Sequence, residues 1–230
     1  ALPAAGQRMY GVPFFPDGQT LALASSDSIK LCGVATGRVL STLHGHQGQI
    51  GGIALSPDGQ MLATGGSDGT VRLWALSRPG TREAGGSAVR PTNRPLTSLT
   101  AGSRQPAAWR DVATLKGHTK GVGPVAFFPD GTLLASGSDD TTVKLWDVRA
   151  KRLLTTLTGY TTPLTALAFS PDGRTLASAD GNTARLWDVP TKRELVPLTG
   201  QTTALASTVA FSADGQILAI GFGVGRVRLW

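Results

Sequence analysis

Short apolar runs separated by polar turns recur at a regular interval along this chain. Five phrases begin with an apolar residue, pass through a Pro-Asp-Gly or Ala-Asp-Gly turn and continue into a second apolar run. Their aspartates are Asp17, Asp58, Asp130, Asp172 and Asp214. A phrase of the type Val-Arg-Leu-Trp follows each one, 15 or 16 residues after the aspartate. Its last residues are Cys32, Trp74, Trp146, Trp187 and Trp230. Apolar runs of this length, bounded by Asp-Gly pairs, predict β-strands joined by hairpins.

The spacing of the repeated aspartates predicts one regular array with a single insertion. Successive aspartates lie 41, 72, 42 and 42 residues apart, and removing 30 residues from the long interval restores the period. We assign the extra residues to segment 77–109, which is rich in proline and arginine. Each period holds four short strands, and a sheet this small must bury both of its faces against neighbouring sheets. The pattern therefore predicts an all-β fold of repeated antiparallel sheets.

A third mark precedes three of the units, as Gly45-His46, Gly117-His118 and the variant Gly159-Tyr160. With all three marks in register, the chain resembles the WD-repeat β-propellers over about residues 8–230, the insertion excepted. The resemblance implies a β-propeller of four-stranded antiparallel blades. Rings of this family usually have more than five blades, so we expect an incomplete ring that is part of a longer array. The five units are expected at 8–43, 44–76 with 110–115, 116–157, 158–198 and 199–230.

The resemblance also implies a buried hydrogen-bond chain of histidine, aspartate, hydroxyl and tryptophan inside each complete unit. The second unit would contain His46, Asp68, Thr64 and Trp74. The third unit would contain His118, Asp140, Ser136 and Trp146. These groups suit one another because indole donates, hydroxyl and neutral imidazole both donate and accept, and carboxylate accepts. The other units lack members of the set, so we expect them to depend on packing alone.

Catalytic residues, metal sites and cofactors are not expected. The histidines and aspartates recur at fixed repeat positions, whereas an active site breaks internal symmetry. No further His or Cys is available to complete a transition-metal site around His44, and each Asp-Gly turn lacks the alternating oxygen ligands of a calcium loop. We therefore expect a protein that is not an enzyme. The alternative is a propeller enzyme or small-ligand binder that uses the central channel.

Charge is concentrated in the insertion. The chain has a net charge of +7, and segment 77–109 holds five arginines against one acid. Few large apolar residues occur there, so the segment is expected to be a disordered, solvated loop. A tether, a modification or partner-binding segment and an unselected insertion all remain open. Aromatic residues do not alternate with its arginines, so nucleic-acid binding is not expected.

A basic residue stands two positions before the tryptophan position in every unit. These residues are Lys30, Arg72, Lys144, Arg185 and Arg228. The preferred interpretation is an aliphatic stem packed along the strand with its charged end at a wet edge. The alternative is a basic ring that faces an anionic partner.

The predicted function is a non-enzymatic protein-interaction scaffold, because propeller loops carry function on a rigid frame. The candidate contact residues follow the Gly-His positions: Gln47, Gln49, Thr119, Lys120, Tyr160, Thr161, Thr162, Gln201, Thr202 and Thr203. For Tyr160 two interpretations stay open: its ring is displaced toward the partner-binding face, or it fills the gap between blades.

The setting of the protein is inferred from composition and resemblance. The chain has 16 arginines and 6 lysines and is rich in alanine and glycine, which favours a bacterial WD-repeat portion of a larger signalling or regulatory protein. Expected partners are other proteins or other domains of the same chain, and the expected location is cytoplasmic. No apolar run approaches the roughly 18 residues of a membrane-spanning helix. The oligomeric state is left open.

Overall fold

The computed structural model describes residues 11–77, 108–181, 183–195, 198, 205–223 and 225–230. Within these ranges there are 18 β-strands and no helix. The first sheet consists of β1 (Thr20–Ser25), β2 (Ser28–Gly33) and β3 (Val39–His44). The second consists of β4 (Ile50–Leu55), β5 (Met61–Gly66), β6 (Thr70–Ser77) and β7 (Ala108–Lys116). The third consists of β8 (Val122–Phe127), β9 (Leu133–Ser138), β10 (Val143–Asp147) and β11 (Arg152–Leu157).

The fourth sheet consists of β12 (Leu164–Phe169), β13 (Thr175–Asp180), β14 (Ala184–Asp188) and β15 (Arg193–Glu194). The fifth consists of β16 (Ala206–Phe211), β17 (Leu218–Phe222) and β18 (Arg226–Leu229). All strand pairs are antiparallel and follow chain order. The predicted all-β fold of antiparallel sheets is therefore confirmed: the second, third and fourth sheets have four strands, and the first and fifth have three among the described residues. Among the described residues no helix is present that could cross a membrane.

Each Asp-Gly turn is held by its own aspartate. In the second sheet, the Gln60 amide donates to Asp58 Oδ1 at 3.0 Å, and the Ser56 hydroxyl donates to the same oxygen at 2.6 Å. Gly59 has a φ of 68°, a left-handed conformation that glycine adopts without steric cost. The same carboxylate-to-amide bond recurs at Asp17, Asp130, Asp172 and Asp214. Turn geometry therefore accounts for these repeated aspartates.

Neighbouring sheets pack face to face through apolar side chains. Between the second and third sheets, Val71 and Leu73 meet Leu134 and Trp146 in one buried cluster. The inner strands come unusually close: a Cβ on Gly52 would lie 2.2 Å from the carbonyl oxygen of Gly123. The Gly-rich start of β4 thus permits a narrow approach that a larger residue would block.

The insertion is shorter than expected from the sequence. Strand β6 runs to Ser77, and β7 already begins at Ala108, opposite Ser77 in the hairpin register. Trp109 belongs to this strand, and its ring centre lies 5.6 Å from that of Phe15, which precedes β1 of the first sheet. The bounds 77–109 were therefore too wide, because the apolar and β-forming ends of the segment extend the hairpin. The expected disorder concerns residues 78–107, which lie outside the described residues.

The fifth sheet presents an uncovered apolar face. Val227 and Leu229 on β18 are 68% and 67% exposed, whereas Val71 and Leu73 at the same repeat positions are fully buried. The difference arises because the face with Val71 and Leu73 packs against the third sheet.

Candidate functional site

The second sheet contains a continuous hydrogen-bond chain beneath its loops. Trp74 Nε1 donates to Thr64 Oγ1 at 3.0 Å, and His46 Nε2 lies 2.9 Å from the same hydroxyl. His46 Nδ1 lies 3.0 Å from Asp68 Oδ2. A carboxylate only accepts, so Nδ1–H donates to Asp68, and Nε2 of the neutral imidazole accepts a hydrogen bond from the Thr64 hydroxyl. The hydrogen bonds thus run in one direction from indole to carboxylate, and the hydroxyl and the imidazole between them each accept one bond and donate one.

The third sheet repeats this arrangement with serine in place of threonine. Trp146 Nε1 donates to Ser136 Oγ at 2.8 Å, His118 Nε2 is 2.8 Å from that oxygen, and His118 Nδ1 is 2.8 Å from Asp140 Oδ2. Burial lowers the pKa of His118 despite the neighbouring carboxylate. Burial opposes ionisation of Asp140, but hydrogen bonds from Thr142, Thr119 and His118 lower its pKa to about 2. The imidazole is therefore neutral and the carboxylate charged at neutral pH.

The fourth sheet builds a different chain around Tyr160. Trp187 Nε1 donates to the Tyr160 hydroxyl at 2.7 Å, and that hydroxyl lies 2.6 Å from Ser178 Oγ. Tyr160 is 7% exposed, and burial raises the pKa of its phenol well above the usual value. The phenol reaches the hydroxyl and the indole directly, so it occupies the place that histidine takes elsewhere.

This placement corrects two expectations about Tyr160. The fourth unit does not depend on packing alone, because it has its own buried hydrogen-bond chain. The Tyr160 ring points inward instead of toward the loops, so it is no longer a candidate contact residue. The physical reason is that a buried phenol without partners would be costly, and Ser178 and Trp187 offer both an acceptor and a donor.

The turn aspartates connect the buried chains to the loops above them. Asp68 Oδ2 accepts a hydrogen bond from the Gln47 amide at 2.8 Å. Asp140 Oδ2 accepts one from the Thr119 amide at 3.0 Å. In the fourth sheet, Asp180 Oδ2 accepts one from the Thr161 amide at 3.1 Å. In all three sheets, therefore, the aspartate fixes the backbone of the residue that follows the histidine or tyrosine.

The loops that carry the candidate contact residues lie at one end of the sheets, because antiparallel strands alternate in direction. We call this end the top face; it comprises loops 45–49, 117–121 and 159–163 and turns 67–69 and 139–141. Five candidates are exposed there: Gln47, Gln49, Thr119, Lys120 and Thr161. Thr162 is half-buried. Gln201, Thr202 and Thr203 lie outside the described residues.

Three of the five repeated basic residues form polar contacts within their own sheets. Arg72 on β6 forms an ion pair with Asp111 on β7, and Arg185 Nη1 on β14 donates to Glu194 Oε1 on β15 at 2.6 Å. Lys144 Nζ donates to Thr156 Oγ1 on the neighbouring strand at 2.9 Å. These contacts join third and fourth strands of the blades, and they weigh against a basic ring that faces a partner. Sequence reasoning missed the roles of Asp111 and Glu194, because their pairing depends on cross-strand register.

The first strands of the second to fifth sheets line an open pocket of about 480 Å³, which we call the central cavity. Its lining residues are 51–53, 123–125, 164–167 and 207–209. This lining consists of glycines, a proline, aliphatic side chains and hydroxyl groups, and the Thr165 hydroxyl already donates to the Ala206 carbonyl at 2.8 Å. Among the described residues, no group of three or more His, Cys, Asp or Glu side chains could hold a metal ion.

Comparison with known proteins gives a family match over nearly the whole chain. Residues 3–229 match the model of the β-propeller described as "Nucleolar protein 10-like, N-terminal domain". The match covers all five sheets, so the similarity concerns the complete set of repeats.

Individual curated relatives are similar to part of this chain. The nuclear distribution protein PAC1 of Arthroderma benhamiae is 32% identical over 166 residues, covering 57% of this chain and 36% of that protein. The WD repeat-containing protein SL1-17 of Schistosoma mansoni is 35% identical over 152 residues, covering 59% and 49%. The pre-rRNA-processing protein IPI3 of Mycosarcoma maydis is 29% identical over 145 residues, covering 61% and 23%.

The chain spans less than half the length of these relatives. Their organisms are all eukaryotes, so the expectation of a bacterial type finds no support.

Proposed function

The chain belongs to the nucleolar protein 10-like family of N-terminal β-propeller domains, and we propose that it is a non-enzymatic scaffold whose top face binds other proteins. One observation carries this proposal: the aspartates of the buried chains hold the loop backbones at Gln47, Thr119 and Thr161. The side chains above are polar and exposed, while their backbone positions are fixed from below. Such preorganisation lowers the entropy cost of binding a partner.

The names of the relatives support a role in assemblies. They refer to nuclear distribution, pre-rRNA processing and WD repeats, and none names a catalysed reaction. They also favour a nuclear setting over the cytoplasmic one that composition suggested. The proposal therefore drops the bacterial signalling context and keeps the scaffold role, with other proteins or other domains of the same polypeptide as partners.

The enzyme alternative has weaker support. Catalysis in the central cavity requires groups that transfer protons, act as nucleophiles or hold a metal. The described residues that line the cavity offer hydroxyls but no acid, histidine, lysine or cysteine. The histidines of the buried chains are committed to hydrogen bonds on both ring nitrogens.

The experiment compares two matched double variants in affinity capture from an extract of the cells that produce the protein. Gln47→Arg with Thr119→Arg adds bulk and charge to the top face while leaving the amides that bind Asp68 and Asp140. Gln19→Arg with Gln216→Arg makes the same kind of change at exposed hairpin turns on the opposite end. We expect the top-face variant to lose captured proteins that the control retains. Equal capture by both variants, each with an unchanged melting temperature, would refute the proposal.

A further inference from the structure

Asp139 is an aspartate that the buried chains do not use. The third unit has two consecutive turn aspartates, and Asp140 is the one that binds His118. Asp139 occupies the position of Ser67 in the second unit, so its charge is an exception to the repeat. Its backbone amide donates to the Gly121 carbonyl at 2.9 Å, while its exposed carboxylate accepts no hydrogen bond from the described residues. The turn therefore does not require this carboxylate.

The carboxylate borders a cleft of about 240 Å³ at the top face, between the second and third sheets. The polar side chains of its wall are Gln49, Ser67 and Asp139, and its other lining residues are Gly51, Gly121, Val122 and Gly123. A Cβ on Gly121 would lie 3.0 Å from Asp139 Oδ2, so the absence of a side chain at this glycine leaves room for the carboxylate at the wall of the cleft. Drug-sized ligands occupy pockets of roughly 300–1,000 Å³, so this cleft suits a single side chain.

The polar wall suits a planar cation. Asp139 supplies a negative charge with two acceptor oxygens, and the Ser67 hydroxyl in the same wall is a further acceptor. A guanidinium group presents its N–H donors in a fixed fork that matches a carboxylate in a bidentate manner. Lys120 immediately precedes the lining residue Gly121, but it does not line the cleft itself and is exposed on the adjoining loop.

Resting on the proposed scaffold function, we propose that the cleft formed by Gln49, Ser67 and Asp139 receives an arginine side chain of the bound partner. The site is at the mouth of the central cavity, since Gly51 and Gly123 line both spaces. A partner segment that lies across the top face can therefore place one arginine between the two sheets while its backbone stays above the loops.

The test uses the whole chain and a blocked Gly-Arg-Gly tripeptide, with the isosteric but uncharged Gly-citrulline-Gly as the matched probe. Binding is followed by NMR shifts of the backbone amides around the cleft. We expect the arginine peptide to bind about tenfold more tightly than the citrulline peptide, as charge-assisted bonds imply. Asp139→Asn should abolish this preference without changing the melting temperature. Lys120→Ala should preserve or increase it, because it removes a competing cation.

The control is Asp27→Asn, which removes an exposed aspartate from the matching turn of the first sheet. The inference is overturned if Asp139→Asn keeps the preference for arginine, or if Asp27→Asn reduces it equally, which would indicate nonspecific charge attraction. If the arginine tripeptide does not bind, the inference is overturned. The scaffold function still stands in that case, provided that the Gln47→Arg/Thr119→Arg variant loses its partners. Partner retention in that variant refutes the scaffold face itself, whatever the tripeptide does.

Discussion

Trp187 donates its indole N–H to the hydroxyl of Tyr160 at 2.7 Å, where the second and third sheets have a histidine. The tyrosine hydroxyl contacts the serine and the tryptophan at once, while each histidine joins a hydroxyl to the turn aspartate through its two ring nitrogens. Asp180 is left to hold the loop through the Thr161 amide. The fourth blade therefore keeps both functions of the hydrogen-bond chain. The tyrosine and serine hydroxyls satisfy the buried indole, and the aspartate separately anchors the loop.

Tyr160→Phe should destabilise the protein by about 1 kcal/mol, because it removes one buried hydrogen-bonding group and leaves Ser178 with fewer partners. The loss is limited since Trp187 also donates to Ser178 Oγ at 3.1 Å. Tyr160→Ala should cost more, about 3–5 kcal/mol, because it also creates a cavity. Urea unfolding followed by tryptophan fluorescence measures both. Thr161→Ala, at the exposed neighbour, serves as the control, and a Tyr160→Phe variant as stable as that control would argue against the bond.

Acid should destabilise the protein through Asp68 and Asp140, the aspartates of the two histidine-containing hydrogen-bond chains. Hydrogen bonds outweigh the opposing effect of burial and lower the pKa of Asp68 and Asp140 to about 2, from an ordinary value of 3.8. The folded-state pKa is depressed, so the stability gained is fully present above pH 3.8 and is lost as the pH falls toward 2. Each group contributes about 2 kcal/mol in this window.

Melting temperatures between pH 7 and pH 2 measure this effect. Asp140→Asn should lower stability at pH 7 and flatten the acid decline. A decline of the same steepness in Asp140→Asn and wild type would locate the acid sensitivity elsewhere. The lowered pKa of His118 acts in the same direction at higher pH. Below pH 6.5 this imidazole takes up a proton more readily in the unfolded chain than in the fold, so the folded protein loses stability as the pH falls.

Gly117→Ala should destabilise the protein by about 1–3 kcal/mol through overpacking. A Cβ at this position would lie 3.1 Å from Trp146 Cη2, a buried ring that belongs to a hydrogen-bond chain and cannot move aside. Gly223→Ala is the matched control, since its Cβ would have its nearest neighbour at 3.8 Å. Thermal unfolding of both variants checks the contrast, and equal melting temperatures would show that the indole yields.

The sequence predicted the parts of this molecule that repeat. The Asp-Gly turns and the strand pattern recur five times, so their spacing predicted an all-β array of repeated sheets, and the Gly-His and Trp marks implied the propeller through the family resemblance. The position of Tyr160 was left open because the direction of a side chain depends on its neighbours, and Ser178 and Trp187 come from two other strands.

Features that depend on register between distant segments were missed. The Arg72–Asp111 pair joins two strands that the insertion separates in sequence, so no local pattern relates the two residues. The two hairpin strands that flank the insertion were also predicted too short. Ser77 and Ala108 look like loop residues until their pairing is known. Asp139 went unnoticed because it stands beside an aspartate with a recognised role.

Replacing residues 78–107 with a two-residue Asn-Gly turn should leave the melting temperature unchanged or raise it. Ser77 and Ala108 already face each other across β6 and β7, and Asn-Gly turns favour the twist of such a hairpin. Loop closure costs less for a short turn, and the deleted segment carries five arginines and one acid, so the net charge falls from +7 to +3. Calorimetry and cation-exchange retention measure the two effects. A clear fall in melting temperature would mean that the segment packs on the blades, and the deletion would then serve to locate its contacts.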